Sequence, residues 1–410
     1  MQDDDASPPR RERAAAHGGA AQEPSDPPFW SHVGPVFFLA VIFLLNFTSR
    51  IILSPLLPII EKELSISHRQ AGFLFFLISA GYLSGLLGSG FLSARATHRR
   101  TILIAGAGVG GALLAISSAA SLGAIRAGLC GLGLAAGLYM PSAIATITSL
   151  VHRRHWGKAI GVHELAPNVA FFIGPFVAEW FLKNSTWRAA LAFLGVLCLL
   201  ADLAFFRFGR GGEFAGESPA SAAFMALTRS RAFWLMVALF GLGVSATVGI
   251  YAMLPLYLVA ERGFESSWAN TLVALSRAHG PFLGFLGGWV SDRLGPRRTI
   301  VISLIFTGAI TFLLAVLSND WLSPAVLIQP LLAVWFFPAA FAAIAMITAP
   351  GARNLAVSFS VPLGFLIGGG AIPTFIGAMG DGGSFAAGLG ATGALIASGG
   401  LLALRLRLPR

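Results

Sequence analysis

Charge is what this sequence lacks. Lys, Arg, Asp and Glu make up only 11% of its 410 residues, against 56% hydrophobic residues. A soluble chain carries roughly twice that charged fraction to cover its surface. A single water-soluble core is excluded, because apolar runs long enough to cross a bilayer recur from end to end. Cysteine is almost absent too. Cys130 and Cys198 both fall inside apolar segments, which predicts two free, buried thiols rather than a disulfide framework. No group of His, Cys, Asp and Glu stands at metal-ligand spacing, so no metal site is expected. A nucleotide loop is missing as well. GAGVGGALL at 106–114 is glycine-rich, but it has no strand before it and no Gly-Lys-Ser/Thr. Its glycines read as helix packing. With no catalytic constellation left, the sequence predicts neither an enzyme nor a cofactor.

What is present is a succession of twelve apolar segments. They span 34–60, 70–93, 101–121, 126–150, 157–182, 187–208, 232–259, 267–292, 299–318, 322–349, 354–379 and 384–406. Each suits the roughly 20 residues that a spanning helix needs. Strand-like alternation is absent and lipid forbids unpaired backbone, so all twelve are expected to be helices. Residues 1–33 are polar and rich in Pro, Ala and Gly, which predicts a disordered tail. The first apolar run is too long for a signal-peptide core and shows no convincing cleavage site. The longest polar interruption, 209–231, is expected to link a six-helix half at 34–208 to another at 232–406, with a short amphipathic helix near 219–228. Residues 407–410 form the C-terminus.

The formal net charge is +10, but the arginines lie in short clusters between apolar runs and read as topology signals rather than as a nucleic-acid surface. One side of the membrane collects 20 of the 28 Lys and Arg residues and the other side 6. The richer side is expected to be cytoplasmic and to hold both termini. The chain also repeats itself. GFLSARATHRRT begins at Gly90 and GWVSDRLGPRRT at Gly288, an offset of 288 − 90 = 198 residues. The same offset carries the start of the first segment onto the start of the seventh. A duplicated six-helix unit follows.

Ionisable groups inside membrane helices are costly, so they normally face a cavity or a partner. Arg50 stands in the middle of the apolar stretch NFTSRIILSPLLP. Arg277 and His279 lie near the middle of the eighth segment, and His163 and Glu164 in the fifth. Glu179 and Asp202, near segment ends, are expected to reach the interface.

GGWVSDRLGPRR resembles the signature loop of the major facilitator superfamily, which joins helices two and three and recurs between helices eight and nine. Two copies at the matching loops, twelve helices and a central linker extend the resemblance over about residues 34–406. It implies an all-α fold of two pseudo-symmetric six-helix halves. In the loop, Gly288 would let helices approach, Asp292 would latch the halves, and Arg293, Arg297 and Arg298 would hold the loop inside. The first copy departs from the pattern, with Ala94 in place of the usual Asp and Thr97-His98 in place of the usual Gly and its neighbour. NVAFFIGPFVAEW, around Gly174-Pro175, is similar to a motif on helix five of many antiporters of the superfamily. The stretch around Arg50 resembles helix one of its organic-anion branches, although Ser49 replaces their Asp and GLGLAAGLYMPSA lacks the Glu of their helix four.

The resemblance implies a secondary transporter, in which helices one, four, five, seven, eight and ten face a central cavity. Arg50, Arg277 and Glu164 would point into it. Two fixed positive charges and one acid favour an anion, and a guanidinium matches a carboxylate bidentately. The expected substrate is therefore a small organic anion, held by Arg50 and Arg277 with Tyr139, Tyr251 and Asn46 alongside. Glu164, with His163 and His279 as alternatives, would carry a coupled proton. The expected setting is a bacterial inner membrane, as a monomer with the lipid bilayer as its surroundings. The competing expectation is an exporter of drugs or lysolipids working by antiport, which would need a wide apolar cavity.

Overall fold

A computed structural model describes Trp30 and residues 33–216, 228–348 and 353–408. The expected tail, apart from Trp30 and Val33, and nearly all of the expected linker helix lie outside these residues. Among them no strand forms, and eleven helices are long and apolar enough to cross a membrane. In chain order they are α1 (Val33–Leu64), α2 (His68–Arg95), α3 (His98–Ser117), α4 (Leu122–Leu150), α5 (Trp156–Asn184), α6 (Trp187–Phe208), α7 (Arg231–Ala260), α9 (Pro296–Val316), α10 (Asn319–Ile347), α11 (Ala356–Asp381) and α12 (Phe385–Ala403). The twelfth segment, α8, is broken into Ser266–Leu275 and Gly280–Leu294. The chain is an all-α membrane protein with twelve helical segments in two pseudo-symmetric halves.

The 198-residue offset reappears in the packing. Gly110 of α3 faces Gly195 of α6, and a Cβ on Gly110 would stand 2.9 Å from the Gly195 carbonyl oxygen. At the same offset, Gly308 of α9 faces Gly393 of α12, and a Cβ on Gly308 would stand 2.7 Å from the Gly393 oxygen. Each pair lets two backbones touch where any side chain would hold them apart. A second matched joint lies at the helix ends. Glu63, closing α1, accepts a hydrogen bond from Trp187 Nε1 at 2.7 Å and pairs with Arg188 at 3.3 Å, at the start of α6. Its counterpart Glu261, after α7, accepts the backbone N–H groups of Phe385 and Ala386 at the start of α12. An acid at a helix N-terminus meets unpaired donors and the positive end of the dipole.

We call the end bearing the two arginine-rich loops the basic end, and the opposite end the far end. At the far end the halves are joined by Asp381, at the close of α11. Its carboxylate accepts the backbone N–H groups of His68 (2.8 Å) and Arg69 (3.1 Å), in the first turn of α2. Gly377 and Gly72 let the same two helices approach, with their α-carbons against the His68 and Pro373 carbonyls. Replacing Asp381 with Ala removes the acceptor of two N–H groups in the first turn of α2, a loss comparable to that of a helix cap, about 0.5–2 kcal/mol. The expected result is a lower thermal midpoint and a wider far-end distance between spin labels on α2 and α11. An unchanged distance distribution would show that Asp381 does not hold the halves together.

Candidate functional site

Two interrupted helices bring the arginines to the middle of the protein. Pro55 and Pro58 have no N–H to donate, and α1 loses its regular ladder at Ile52. Arg50 sits just before that irregularity and is 7% exposed. Its guanidinium lies over the rings of Tyr82 (4.4 Å) and Phe47 (4.7 Å), with Phe365 of α11 at 5.8 Å. Its Nε is buried without a hydrogen-bond partner.

Arg277 occupies the break in α8. Pro281 cannot donate to the Arg277 carbonyl, which accepts from Gly280 N instead (3.0 Å), and the helix restarts there. Arg277 is 6% exposed and lies over Phe171 of α5 (4.9 Å) and Tyr251 of α7 (5.4 Å). Its Nη2 donates to Thr247 O at 3.0 Å. Thr247 belongs to a π-helical turn, Ser245–Gly249, in the middle of α7. A second π turn, Phe365–Ala371, lies opposite in α11 and supplies Phe365. Such turns widen the helix ladder and present carbonyls sideways, and they recur at functional sites.

The two cations are thus set on either side of an aromatic bridge. Phe47 beneath Arg50 and Phe171 beneath Arg277 meet edge to face at 5.2 Å. Among the described residues neither arginine ion-pairs with a carboxylate. Arg277 Nε and the Tyr251 hydroxyl are also buried without partners. Arg50 opens onto a cavity of about 30 Å³ bordered by α1, α2, α7 and α11, with Ser79, Tyr82, Val248 and Gly369 in its wall. The unfilled donors are what an anion would satisfy, since buried donors are normally paired.

The other candidate residues are placed differently. Asn46 and Tyr139 do not border the Arg50 cavity. Asn46 donates to Ala136 O (3.3 Å), and the Tyr139 hydroxyl donates to Leu39 O (2.6 Å), inside the N-terminal half. Glu164 does not join the arginines. Its carboxylate lies 3.3 Å from Nδ1 of His163, and Nε2 of that ring is 3.2 Å from the Tyr139 hydroxyl. His163 is fully buried and stacks on Phe43 at 4.4 Å. His279, half-buried, heads the second piece of α8. Glu179 accepts from Asn270 Nδ2 (3.2 Å), which also donates to Pro55 O across the halves (3.3 Å).

At the basic end, Asp292, Arg297 and Arg298 are exposed, and Arg293 lies over Trp289 at 4.2 Å. A Cβ on Gly288 would meet open space, whereas its neighbour Gly287 packs on Trp335. The first loop is the more firmly bound copy. Arg99 donates to the carbonyls of Phe205, Phe206 and Gly209 and so closes the C-terminus of α6.

Two six-helix halves with buried charges on broken helices between them define a membrane transporter. The chain belongs to the Major Facilitator Superfamily, whose profile matches residues 39–328. It is 25% identical over 293 residues to a probable nitrate/nitrite transporter, NarK2, of Mycobacterium tuberculosis strain H37Rv, covering 66% of this chain and 69% of that protein. In fold it is similar to a bacterial homolog of the human lysosomal transporter Spinster in an inward-facing, occupied conformation. That match has a TM-score of 0.78 at 18% identity, over 93% of this chain and 98% of the other. A POT family transporter in complex with a thioalcohol-conjugated peptide matches with a TM-score of 0.76 at 12% identity, over 91% and 95% of the two chains.

Proposed function

We propose that the protein is a secondary active transporter that moves a small oxyanion by alternating access, with proton symport. The substrate class is that of short carboxylates and their inorganic counterparts of nitrate type. One observation carries this reading: two buried guanidinium groups, each with an unfilled Nε donor, stand between the halves without a carboxylate partner among the described residues. A buried cation lacking a partner is expensive, and a planar oxyanion supplies matching acceptors. The relative named as a nitrate/nitrite transporter supports a small planar ion. The cavity at Arg50, about 30 Å³, suits such an ion better than the drug or lysolipid of the exporter reading.

The proton is assigned to the His163–Glu164 pair rather than to His279. Counting donors supports this. The one proton of the Tyr139 hydroxyl is directed to Leu39 O, so that hydroxyl accepts from His163 Nε2–H. The remaining contact, Nδ1 to Glu164, needs a further proton between its two members. In the proposed cycle this arrangement corresponds to the loaded state. Once unloaded, the Tyr139 hydroxyl turns to Nε2, and Nδ1–H faces a bare carboxylate.

In the proposed setting the basic end faces the cytoplasm of a bacterial cell, the protein works as a monomer in the inner membrane, and both termini are cytoplasmic. The hydrogen bonds across the halves from Asp381, Asn270 and Ser54 all lie to the far side of the arginines, so the site opens toward the basic end. The test is uptake of formate, acetate and nitrate into proteoliposomes, with and without an inward proton gradient. Uptake of one or more of these ions, accelerated by the gradient, is the expected result. Transport of lipophilic drugs or lysolipids alone would overturn the reading.

A further inference from the structure

The N-terminal half holds a second polar site that the arginine pocket does not share. Asp202 of α6 has Oδ1 buried without a hydrogen-bond partner, and so has Asn46 of α1, whose amide nitrogen is engaged with Ala136 O. Both residues border one cavity of about 10 Å³, together with Tyr139, Gly106 and Cys198. That is room for about one water molecule. Gly106 of α3 makes the space, because a Cβ there would collide with the Asp202 carboxyl group. Two buried acceptor oxygens on one small cavity need a donor. No cation ion-pairs with Asp202 among the described residues. The titratable groups facing it are Tyr139 from α4 and Cys198 on its own helix, while α1 and α3 present none there. Asp202 is half-buried, with Oδ1 its enclosed oxygen, and a proton held between Oδ1 and the Asn46 oxygen supplies the donor that both lack.

Tyr139 borders this cavity and also touches His163, so the polar groups form a line: Asp202, Asn46 and one water, Tyr139, His163, Glu164. The fold does not require that line. At the 198-residue offset, the C-terminal half carries Val244, Phe337, Val361, Pro362 and Gly400 in place of Asn46, Tyr139, His163, Glu164 and Asp202. The same architecture is therefore built there without a titratable group.

We propose that Asp202 is a proton-holding site that loads the His163–Glu164 pair through Tyr139. Asp202 gives its proton to the cavity water. The water passes a proton to the Tyr139 oxygen as Tyr139 releases its own to His163 Nε2, and Asp202 is left as a carboxylate. This rests on the proton-symport reading for its purpose, but the protonation of Asp202 is measurable without transport.

The experiment is infrared spectroscopy of the full chain in lipid nanodiscs between about pH 6 and about pH 9, a range in which an ordinary carboxyl is ionised throughout. The expected result is a carboxylic-acid C=O band at neutral pH that disappears in Asp202→Asn. Asn46→Leu keeps the acid but removes its neighbouring acceptor, so it must shift the band. This variant carries the test if Asp202→Asn does not fold. A wild-type spectrum without an acid band at neutral pH, or a band unaltered by both substitutions, overturns the proposal. A band assigned to Asp202 in a protein that moves no anion leaves this site standing and removes the symport reading instead.

Discussion

If the protein carries the proposed anion, Arg277→Gln and Arg50→Gln are each expected to reduce its uptake by about 100-fold while leaving a folded protein. The size follows from truncating one member of the proposed buried charge pair with the substrate, which costs about 2–5 kcal/mol, at tenfold for about every 1.4 kcal/mol. Stability moves the other way. Without substrate, each guanidinium is buried against aromatic rings with Nε unfilled, so a neutral side chain relieves its desolvation. The thermal midpoint of the ligand-free variants is therefore expected to match or exceed that of the wild type. Lysine substitutions keep the charge but lose the planar fork, and should recover little uptake. Proteoliposome flux and thermal unfolding on the same preparations separate the outcomes. Wild-type uptake in either Gln variant removes that arginine from the substrate site. Loss of uptake together with a much lower midpoint makes it a structural residue.

Leucine at Gly195 or Gly393 is expected to abolish recovery of monodisperse protein. Each glycine stands where two helix backbones touch, and its partner's carbonyl leaves no room for a side chain. Overpacking a well-packed core position costs about 1–3 kcal/mol or more. At Gly393 the obstruction is the backbone of Phe312 and Gly308, which cannot turn aside, and at Gly195 it is the Gly110 carbonyl with Leu113 and Leu114 beside it. Gly288→Leu is the control. The signature-loop glycine meets open space, and its variant is expected to purify as the wild type does. Size-exclusion profiles in detergent read all three. Normal profiles for the Gly195 and Gly393 variants would show that α3–α6 and α9–α12 are not held by backbone contact.

The sequence and the structure meet most closely in the repeat. The offset seen in two arginine-rich loops recurs in the two glycine joints and in Glu63 and Glu261. Apolar length and duplicated spacing are properties of the chain itself, so both are legible without coordinates. Arg50 and Arg277 stood out because charge within a membrane span is rare. Their surroundings did not. Phe47, Phe171 and Tyr82 are indistinguishable from packing residues in a chain with 33 phenylalanines. The π turns of α7 and α11 carry no sequence mark beyond their glycines. The eighth segment, 267–292, was expected to be continuous; Pro281, four residues after Arg277, is the sequence feature at the break, although a membrane helix also accommodates proline without breaking. Glu164 was expected beside the arginines, but helical position alone gives no direction toward His163. Asp202 was expected to reach the interface. Only the glycine opposite it, on another helix, shows that Oδ1 has an interior place.

The Asp381 joint also has a consequence for how the protein tolerates mutation. The carboxylate binds α2 through the N–H groups of residues 68 and 69, and every amino acid but proline offers that group. The side chain of Arg69 is thus free to drift without loosening the closure, whereas that of His68 also packs on Phe385 at 4.5 Å and pairs with Glu61 at 2.8 Å. A proline at either one, or the loss of the acid, is the change that selection would detect.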